Sequence, residues 1–354
     1  MNSQVHSAGR TQGNEASSPA AIAALCFRGA ETYKKRRAFE YYREGRLYGE
    51  LNYEEMANHA RRLAALLSSL GVRKGGKILL IADNSAFWPV YYFGACIAGA
   101  QPLTVSPETA RREQNTLRYE GISAILLSAS GEGAIPALKP DIPGIFVDRI
   151  RWEEKGDAPV SFHGIEKRVS FPALSESIAK GSAGPVVKKT SPIPVKLYRR
   201  DRFLSTVSLS SVEGIEFSLV SPVLHGSLVT VLDETSSAES LLGACQHLYP
   251  TVIVTDGEKL EKLFRKKVKP WLEKPFFRSG IARFFALRFA GRRFIKSLGA
   301  WIRILCIQEK QNISAEASLS PEAESFIKSL SLHVCTIGIG LHAPGTVHGL
   351  SWKE

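Results

Sequence analysis

Two glycines close to the end of the chain have the spacing of a phosphate-binding turn. Gly338, Gly340 and Ala343 form a G-x-G-x-x-A pattern behind a strand-like segment. Glycine lets backbone N–H groups approach phosphate oxygens because no side chain stands in the way. A dinucleotide site also needs a following helix, a second strand and an acid about twenty residues further on. Only eleven residues follow Ala343, so the sequence does not predict a dinucleotide site.

Positive charge is the second feature that could support chemistry or binding. The chain has a net charge of +12, and thirteen Lys and Arg residues stand against a single acid, Glu273, between residues 262 and 303. Phenylalanines and arginines are interleaved within that stretch. Helical spacing places Ile281, Phe284, Phe285 and Phe289 on one face, and we expect this face to pack into the core.

The cations of this helix could meet three kinds of environment. We expect a solvated rim around a core-packed helix, formed by Arg288, Arg292, Arg293 and Lys296. An interfacial helix on an anionic membrane surface is the open alternative, since basic and aromatic residues are typical of such helices. Nucleic acid is disfavoured as a partner because no recognised nucleic-acid motif accompanies the charge.

Other residues that commonly carry chemistry show no productive spacing. The eight histidines include no HExxH pair and the five cysteines include no CxxC pair, so no metal site or disulfide framework is predicted. The chain has no GxSxG nucleophile elbow. We therefore name no catalytic residue. Scattered cysteines and a polar N-terminal segment favour a cytoplasmic protein.

Regular elements alternate along most of the chain. Segment 52–70 has apolar residues at helical spacing, with Asn52 and Glu55 placed for a capping box and Gly71 placed to end the helix. Further helical patterns separate strand patterns at 77–82, 101–105, 122–127, 203–209, 228–232, 251–255, 302–307 and 332–337. This order predicts an α/β fold with two subdomains on mixed, largely parallel sheets flanked by helices.

Composition divides the chain into four parts. We expect a disordered tail at 1–20, a first α/β subdomain at 21–150, an irregular connector at 151–200 and a second α/β subdomain at 201–354. The connector is rich in Pro, Gly, Ser and Lys, and at most one helix, at 172–180, is predicted within it.

Two blocks of sequence resemble the large domain of adenylate-forming enzymes, in particular bacterial long-chain acyl-CoA synthetases. The first block contains 51–56 (LNYEEM), 70–77 (LGVRKGGK), 84–88 (NSAFW) and 98–102 (AGAQP). The second contains 201–205 (DRFLS), 224–229 (LHGSLV), 249–252 (YPTV) and 319–322 (LSPE). The resemblance implies ATP, Mg²⁺ and CoA as cofactors, and a fatty acid or other acyl group as the partner that is activated.

The motifs by which this family handles ATP are altered here. Residues 186–196 (VVKKTSPIPVK) occupy the place of the glycine-rich phosphate loop and contain no glycine. The histidine expected near the acyl pocket aligns with Ser211, and the adenine-binding segment aligns with 306–310 (CIQEK). The YGLTE motif leaves only the remnant Gly338, Ile339, Gly340 and Leu341, with His342 and Ala343 in place of its threonine and glutamate. A carboxylate oxygen that would suit Mg²⁺ is thereby lost.

Three hypotheses follow from this comparison. The first is a protein without complete adenylation activity that keeps an acyl-binding pocket, and for it no cofactor is predicted. The second is a fatty acid–CoA ligase subunit that another chain completes, since the family's C-terminal lysine domain has no counterpart before Glu354. The third is a basic scaffold protein at the inner membrane face.

Overall fold

The computed structural model describes residues 18–113, 120–134, 142–152, 157–162, 165–170, 193, 195–273, 280–309 and 319–338. The helices are α1 (Pro19–Tyr33), α2 (Tyr53–Ser69), α3 (Trp88–Ile97), α4 (Pro107–Arg112), α5 (Val212–Ile215), α6 (Ser221–His225), α7 (Ala238–Leu248), α8 (Gly257–Lys267), α9 (Lys269–Leu272), α10 (Gly280–Ser297) and α11 (Pro321–Lys328). A π-helical turn, Glu216–Val220, joins α5 to α6.

The strands are β1 (Arg37–Arg43), β2 (Arg46–Asn52), β3 (Lys77–Ile81), β4 (Gln101–Val105), β5 (Ile122–Leu127), β6 (Gly144–Phe146), β7 (Asp157–Phe162), β8 (Ile165–Ser170), β9 (Arg202–Ser205), β10 (Leu228–Leu232), β11 (Val252–Asp256), β12 (Ile304–Glu309) and β13 (His333–Gly338). They form a seven-stranded sheet in the order β13-β12-β11-β9-β10-β1-β2 and a six-stranded sheet in the order β4-β3-β5-β6-β7-β8. Neighbours pair in parallel except β1 with β2, β6 with β7 and β7 with β8. The predicted α/β class with mixed, largely parallel sheets is confirmed.

Helix α2 illustrates how local sequence sets these elements. The Asn52 side-chain oxygen accepts a hydrogen bond from the Glu55 N–H at 2.8 Å, and the Glu55 carboxylate accepts one from the Asn52 N–H at 3.0 Å. This reciprocal capping box satisfies two backbone N–H groups that the helix itself leaves without partners. Leu63 is fully buried on the inner face, and Gly71 beyond the last turn has φ of +87°. The predicted helix, cap and terminal glycine are confirmed.

The seven-stranded sheet takes two strands from the first part of the chain. β1 pairs in parallel with β10, with Phe39 opposite Val229, and β2 pairs with β1 at the edge. The expected division into 21–150 and 201–354 therefore does not coincide with the division between sheets. Pairing between residues so distant in sequence leaves no signal in a local window, because it depends on the folded chain bringing the strands together.

Part of the segment that composition marks as irregular is a β-hairpin. β7 and β8 pair antiparallel from Asp157 opposite Ser170 to Phe162 opposite Ile165, and β7 also pairs with β6. Val160 is fully buried at this position. The expectation of an irregular connector is wrong for these two strands, because the ladder supplies the hydrogen bonds that the composition does not suggest. The predicted helix at 172–180 and the tail at 1–17 lie outside the described residues.

Asn84 connects the two sheets where β3 ends. Its side-chain nitrogen donates to the carbonyl oxygens of Val207 and Leu232, both at 2.9 Å. Its side-chain oxygen accepts from the N–H of Leu209 at 2.8 Å. The residue is only 3% exposed, so these three bonds form away from water. The end of the six-stranded sheet is thereby fixed against the ends of β9 and β10 in the seven-stranded sheet.

Substitution Asn84→Ala should lower the free energy of unfolding by roughly 3 kcal/mol. The change removes three hydrogen bonds and leaves two buried carbonyls and one buried N–H without partners, each costing about 1 kcal/mol or more. Urea unfolding followed by circular dichroism measures the change. The control is Asn58→Ala, at an exposed asparagine of α2 that bonds only Arg61, where we expect a change within about 0.5 kcal/mol. Equal effects of the two substitutions would contradict the structural role of Asn84.

Candidate functional site

The loops that follow β3, β9 and β10 meet at Asn84 and carry polar side chains. In open α/β sheets, ligands bind outside the carboxyl ends of the strands. Thr104, near the end of β4, donates from Oγ1 to the carbonyl of Ser210 at 2.7 Å. Ser208 donates from Oγ to Oε1 of Glu234 at 2.7 Å. This region is the candidate site, and we name its acids Asp83, Glu213, Glu216 and Glu234 the strand-end carboxylates.

Hydroxyl and amide groups at the strand ends bond to one another. The Oγ1 atoms of Thr206 and Thr255, which follow β9 and end β11, lie 2.8 Å apart. Gln308, near the end of β12, donates from Nε2 to Oε2 of Glu213 at 3.0 Å. Together with the Ser208–Glu234 bond, these contacts engage polar atoms that would otherwise be available to a bound ligand.

Ser211 stands where the resemblance places a histidine, and here it caps a helix. Its Oγ accepts from the N–H of Gly214 at 3.0 Å and donates to the carbonyl of Ser208 at 2.7 Å. Gly214 packs so closely that a Cβ built on it would lie 1.9 Å from the Ser208 carbonyl oxygen. The loop after β9 is therefore tightly folded around its own backbone, and a glycine is required at this approach.

Two of the strand-end carboxylates, Glu216 and Glu234, lie in surroundings that disfavour charge. Burial, with the nearby charge of Glu213, raises the pKa of Glu216 from 4.5 to about 7. Burial also raises the pKa of Glu234 to about 7, and the charges of Asp83 and Asp233 add to that effect against the hydrogen bond from Ser208. Desolvation penalises the ionised form of a carboxylic acid because charge is poorly solvated in the protein interior. Both side chains therefore carry a proton for part of the time near neutral pH.

Two of these acids, Asp83 and Glu234, have a signal in the sequence that motif spacing does not reveal. Asp83 follows the apolar segment of β3, and Asp233 and Glu234 directly follow that of β10. Acids that come directly after a buried parallel strand are placed at the edge where ligands bind. What the sequence could not give was their common location, which depends on the hydrogen bonds of Asn84.

One basic side chain at these strand ends, Lys259, already forms an ion pair. Lys259, in the first turn of α8, lies 2.6 Å from Oδ2 of Asp256, and only 12% and 9% of the two side chains are exposed. Its Nζ also donates to the carbonyl of Glu234 at 3.3 Å. Asp256 in turn caps α8 by accepting from the N–H of Lys259 at 2.8 Å. The positive charge of Lys259 therefore balances Asp256 and is not free to balance an added anion.

Mg²⁺, which the resemblance implies, does not fit the residues that the structure describes. Within those ranges no group of three or more His, Cys, Asp or Glu side chains is arranged to hold a metal ion. Glu213 and Glu234 each have one oxygen bonded to a protein donor, Gln308 and Ser208 respectively. The expected absence of a metal site stays a prediction for the whole chain.

The altered phosphate-loop segment falls largely outside the described residues. Among its three lysines the structure describes Lys196, whose side chain is exposed and has its Nζ 5.5 Å from the centre of the Tyr198 ring. Lys188 and Lys189 lie outside the described ranges. Of the remnant motif, Gly338 is the last residue of β13, opposite Glu309, while Ile339, Gly340 and Leu341 lie outside.

The basic helix is α10, and its orientation differs from the one expected. Phe285 and Phe289 are 63% and 50% exposed, so the prediction that their face packs into the core is wrong. The buried side is formed instead by Ala290, Phe294 and Leu298. More of the helix's apolar residues lie in its first turns than in its last turns. The face predicted from the phenylalanines was therefore weighted toward the first turns and is not the buried face. The expected exposure of the cations is observed at Arg288, Arg292, Arg293 and Lys296.

A cavity of about 470 Å³ lies beside the seven-stranded sheet. Tyr42, Leu232 and Ala244 give it an apolar wall, and Arg43 and His247 are the basic side chains on its lining. Residues along α7, from its cap Ser237 to His247, also line it. Ser236, another lining residue, has a buried Oγ without a hydrogen-bond partner among the described residues.

Comparison with known proteins relates part of the chain to a family model. Residues 26–163 match the family model described as AMP-binding enzyme. A nonribosomal peptide synthetase, easA of Emericella nidulans, is 30% identical over 103 residues, which are 29% of this chain and 2% of that protein. In the described part of the chain, no helix is long and apolar enough to cross a membrane.

Solved structures with a similar fold include a CoA ligase and an N-terminal domain of another protein. A benzoate CoA ligase from Burkholderia xenovorans is 16% identical with a TM-score of 0.53, over 90% of this chain and 60% of that one. The N-terminal domain of FACL13 from Mycobacterium tuberculosis is 14% identical with a TM-score of 0.59, over 90% of this chain and 75% of that one. Identities this low establish the fold alone, and the chain spans less than two thirds of the benzoate ligase.

Substitution Glu234→Gln should change how stability depends on pH. Because the pKa of Glu234 is raised to about 7 in the folded protein, its proton stabilises the fold fully below pH 4.5 and that contribution is lost as pH rises to about 7. Glutamine stays neutral and can still accept from Ser208. The variant should therefore lose less stability over this interval, and should be more stable than the parent at pH 8 by roughly 2 kcal/mol.

Urea unfolding at several pH values measures this difference. Glu31→Gln, at an exposed acid of α1, is the control and should run parallel to the parent. Some slope should remain in Glu234→Gln because Glu216 titrates in the same interval. Parallel profiles for Glu234→Gln and the parent would mean that burial of Glu234 does not shift its pKa.

Proposed function

We propose that this chain, part of which matches the AMP-binding family model and which shares the fold of the FACL13 N-terminal domain, is a member of the adenylate-forming superfamily that binds a carboxylic acid without converting it to an adenylate. The observation that carries the proposal is the acidic character of the strand ends. There Glu216 lies near Glu213, Glu234 lies near Asp83 and Asp233, and Lys259 is engaged with Asp256.

A triphosphate would face repulsion at this edge. Two unit charges of the same sign about 5 Å apart repel by roughly 3 kcal/mol at an effective dielectric constant of about 20. Glu216 and Glu234 carry partial charge near neutral pH, and adding an anion would raise the pKa of each further. Catalysis of phosphoryl chemistry depends on donors and cations fixed beforehand around the phosphates. The strand ends offer carboxylates and internally bonded hydroxyls in that place.

The acid itself has a plausible place in the cavity between β10 and α7. Its volume of about 470 Å³ falls in the range of small-molecule sites, and its lining combines apolar residues with the bases Arg43 and His247 and the acids Glu44 and Asp233. Arg43 pairs with Glu44 at 3.2 Å, but both side chains are more than half exposed, so this pair is weak enough to exchange for a ligand carboxylate. The unpartnered Oγ of Ser236 supplies a further donor.

Substitution Gly243→Leu should weaken acid binding at least tenfold. Gly243 lines the cavity, and a Cβ built on it meets nothing within 4 Å, so this position accepts a side chain that takes up cavity volume. Replacing glycine inside a helix also favours the helix by about 0.5–1 kcal/mol, so the variant should fold. Calorimetric titration with benzoate and with octanoate measures the affinity. Gln246→Leu, at an exposed residue of α7 outside the cavity lining, should bind as the parent does.

These titrations distinguish where the acid binds from whether the protein binds a carboxylic acid at all. Unchanged affinity in Gly243→Leu would move the acid to another part of the molecule. Failure of the parent to bind any carboxylic acid would overturn acid binding as the function.

Adenylation is tested separately by ATP–pyrophosphate exchange. The purified chain with Mg²⁺ and benzoate or octanoate should give no acid-dependent exchange, because the strand ends repel the triphosphate. Acid-dependent exchange by the chain alone would overturn the proposal. Exchange that appears only when a second chain bearing a lysine-containing C-terminal domain is added would favour the alternative, a fatty acid–CoA ligase subunit completed by another chain. We place this protein in the cytoplasm as part of the same proposal.

A further inference from the structure

Helix α10 has two sharply different sides. With 100° between successive residues, Phe285, Phe289, Arg292 and Lys296 fall within about 60° of one another around the axis. All four are exposed, and Arg288 and Arg293 flank them on either side. The opposite side, with Ala290, Phe294 and Leu298, is buried in the core cluster between the seven-stranded sheet and the helices that pack on it. We name the six outward residues, Phe285, Arg288, Phe289, Arg292, Arg293 and Lys296, the aromatic–basic face.

The cations of this face are not neutralised by neighbouring acids. Other basic residues of the region have carboxylate partners: Lys262 with Glu258, Arg265 with Glu261, Lys266 with Glu239, Lys269 with Glu273 and Arg303 with Asp201. Within the described ranges no ion pair includes a cation of the aromatic–basic face. Arg293 instead lies 4.9 Å above the ring of Trp271. Among the described residues, the acids in these pairs therefore bind other cations, and the face presents several cations that form no ion pair there.

The two phenylalanines add a feature that charge alone would not require. Phe289 packs its ring 5.8 Å from that of Trp271, yet remains half exposed, and Phe285 is exposed to a greater extent. Large apolar side chains left in water beside several cations are typical of a helix that lies in a membrane interface. The rings enter the boundary of the acyl chains while the long basic side chains reach the headgroups.

We propose that the aromatic–basic face docks this protein on an anionic lipid bilayer, with α10 parallel to the membrane plane. Charge complementarity selects the occupant, because a cationic face without acids matches a surface of phosphatidylserine-like headgroups. This inference is independent of acid binding and of the strand-end carboxylates.

Vesicle co-sedimentation tests the charge component. The full chain should sediment with vesicles of phosphatidylcholine and phosphatidylserine, and much less with phosphatidylcholine alone. Each basic residue near an anionic surface contributes about fivefold to partitioning, so the double reversal Arg288→Glu with Arg292→Glu should reduce binding more than ~100-fold. Both side chains are exposed, so the fold should persist, and thermal unfolding checks this. Added salt should weaken binding of the parent.

A matched control separates a local site from net charge. Arg46→Glu with Arg73→Glu changes two exposed cations outside α10 and alters the net charge by the same amount. This control should keep most of the parent's binding. Equal losses in both double variants would overturn the proposal, since net charge alone would then explain binding. Binding unaffected by the α10 reversal would overturn it as well.

The phenylalanines are tested by Phe285→Ser with Phe289→Ser. Because these rings are exposed in the free protein, the substitutions should leave stability nearly unchanged and reduce vesicle binding about tenfold or more. Single-stranded RNA is the competing ligand to include, as stacking on aromatics and charge also serve RNA. Tight RNA binding that needs the same six residues, without vesicle binding, would replace the membrane by nucleic acid and overturn the proposal.

Discussion

The hydrogen bonds of Asn84 are the constraint on which the rest of the structure depends. A carboxamide presents donors and an acceptor in one plane, so a single side chain can satisfy the carbonyls of Val207 and Leu232 and the N–H of Leu209. These three groups belong to the end of β10 and to the loop after β9 in the seven-stranded sheet, whereas Asn84 lies just beyond β3 of the six-stranded sheet. The relative position of the strand ends is therefore set by one buried polar contact, together with the apolar packing around it.

The chemistry of the strand ends follows from this close packing of the loops around Asn84. Loops held this tightly satisfy their own polar atoms, as the Ser208–Glu234 and Gln308–Glu213 bonds show. The same closure removes water from the carboxylates, and the pKa of Glu216 and of Glu234 rises to about 7 as a result. A site that bound a triphosphate would need the opposite design, with unengaged N–H donors and cations facing a cleft. The altered phosphate-binding motifs and the acidic side chains at the strand ends thus both disfavour binding of a triphosphate.

Local features of the sequence predicted local structure well. The capping box of Asn52 and Glu55, the parallel strand pattern and the α/β class were all readable, because each depends on residues near one another in the chain. The pairing of β1 with β10 and the β7–β8 hairpin were not readable, since their stability comes from partners that only the folded chain supplies. The strand-end carboxylates belong to the second kind. Their individual positions after strands were visible, but their proximity was not.

Helix α10 shows that the exposed face of a helix, too, depends on packing partners that the local sequence does not reveal. Its sequence offers two apolar faces, one with Phe285 and Phe289 and one with Ala290 and Phe294, and periodicity alone does not choose between them. Packing chooses the second, because Phe294 fits against Phe326 in a T-shaped contact with ring centres 5.6 Å apart. Once that side is buried, the other must carry its phenylalanines and cations outward. The molecule therefore separates its charge, with acids enclosed at the strand ends and uncompensated bases on an exposed helix, and each of these two regions favours a different ligand.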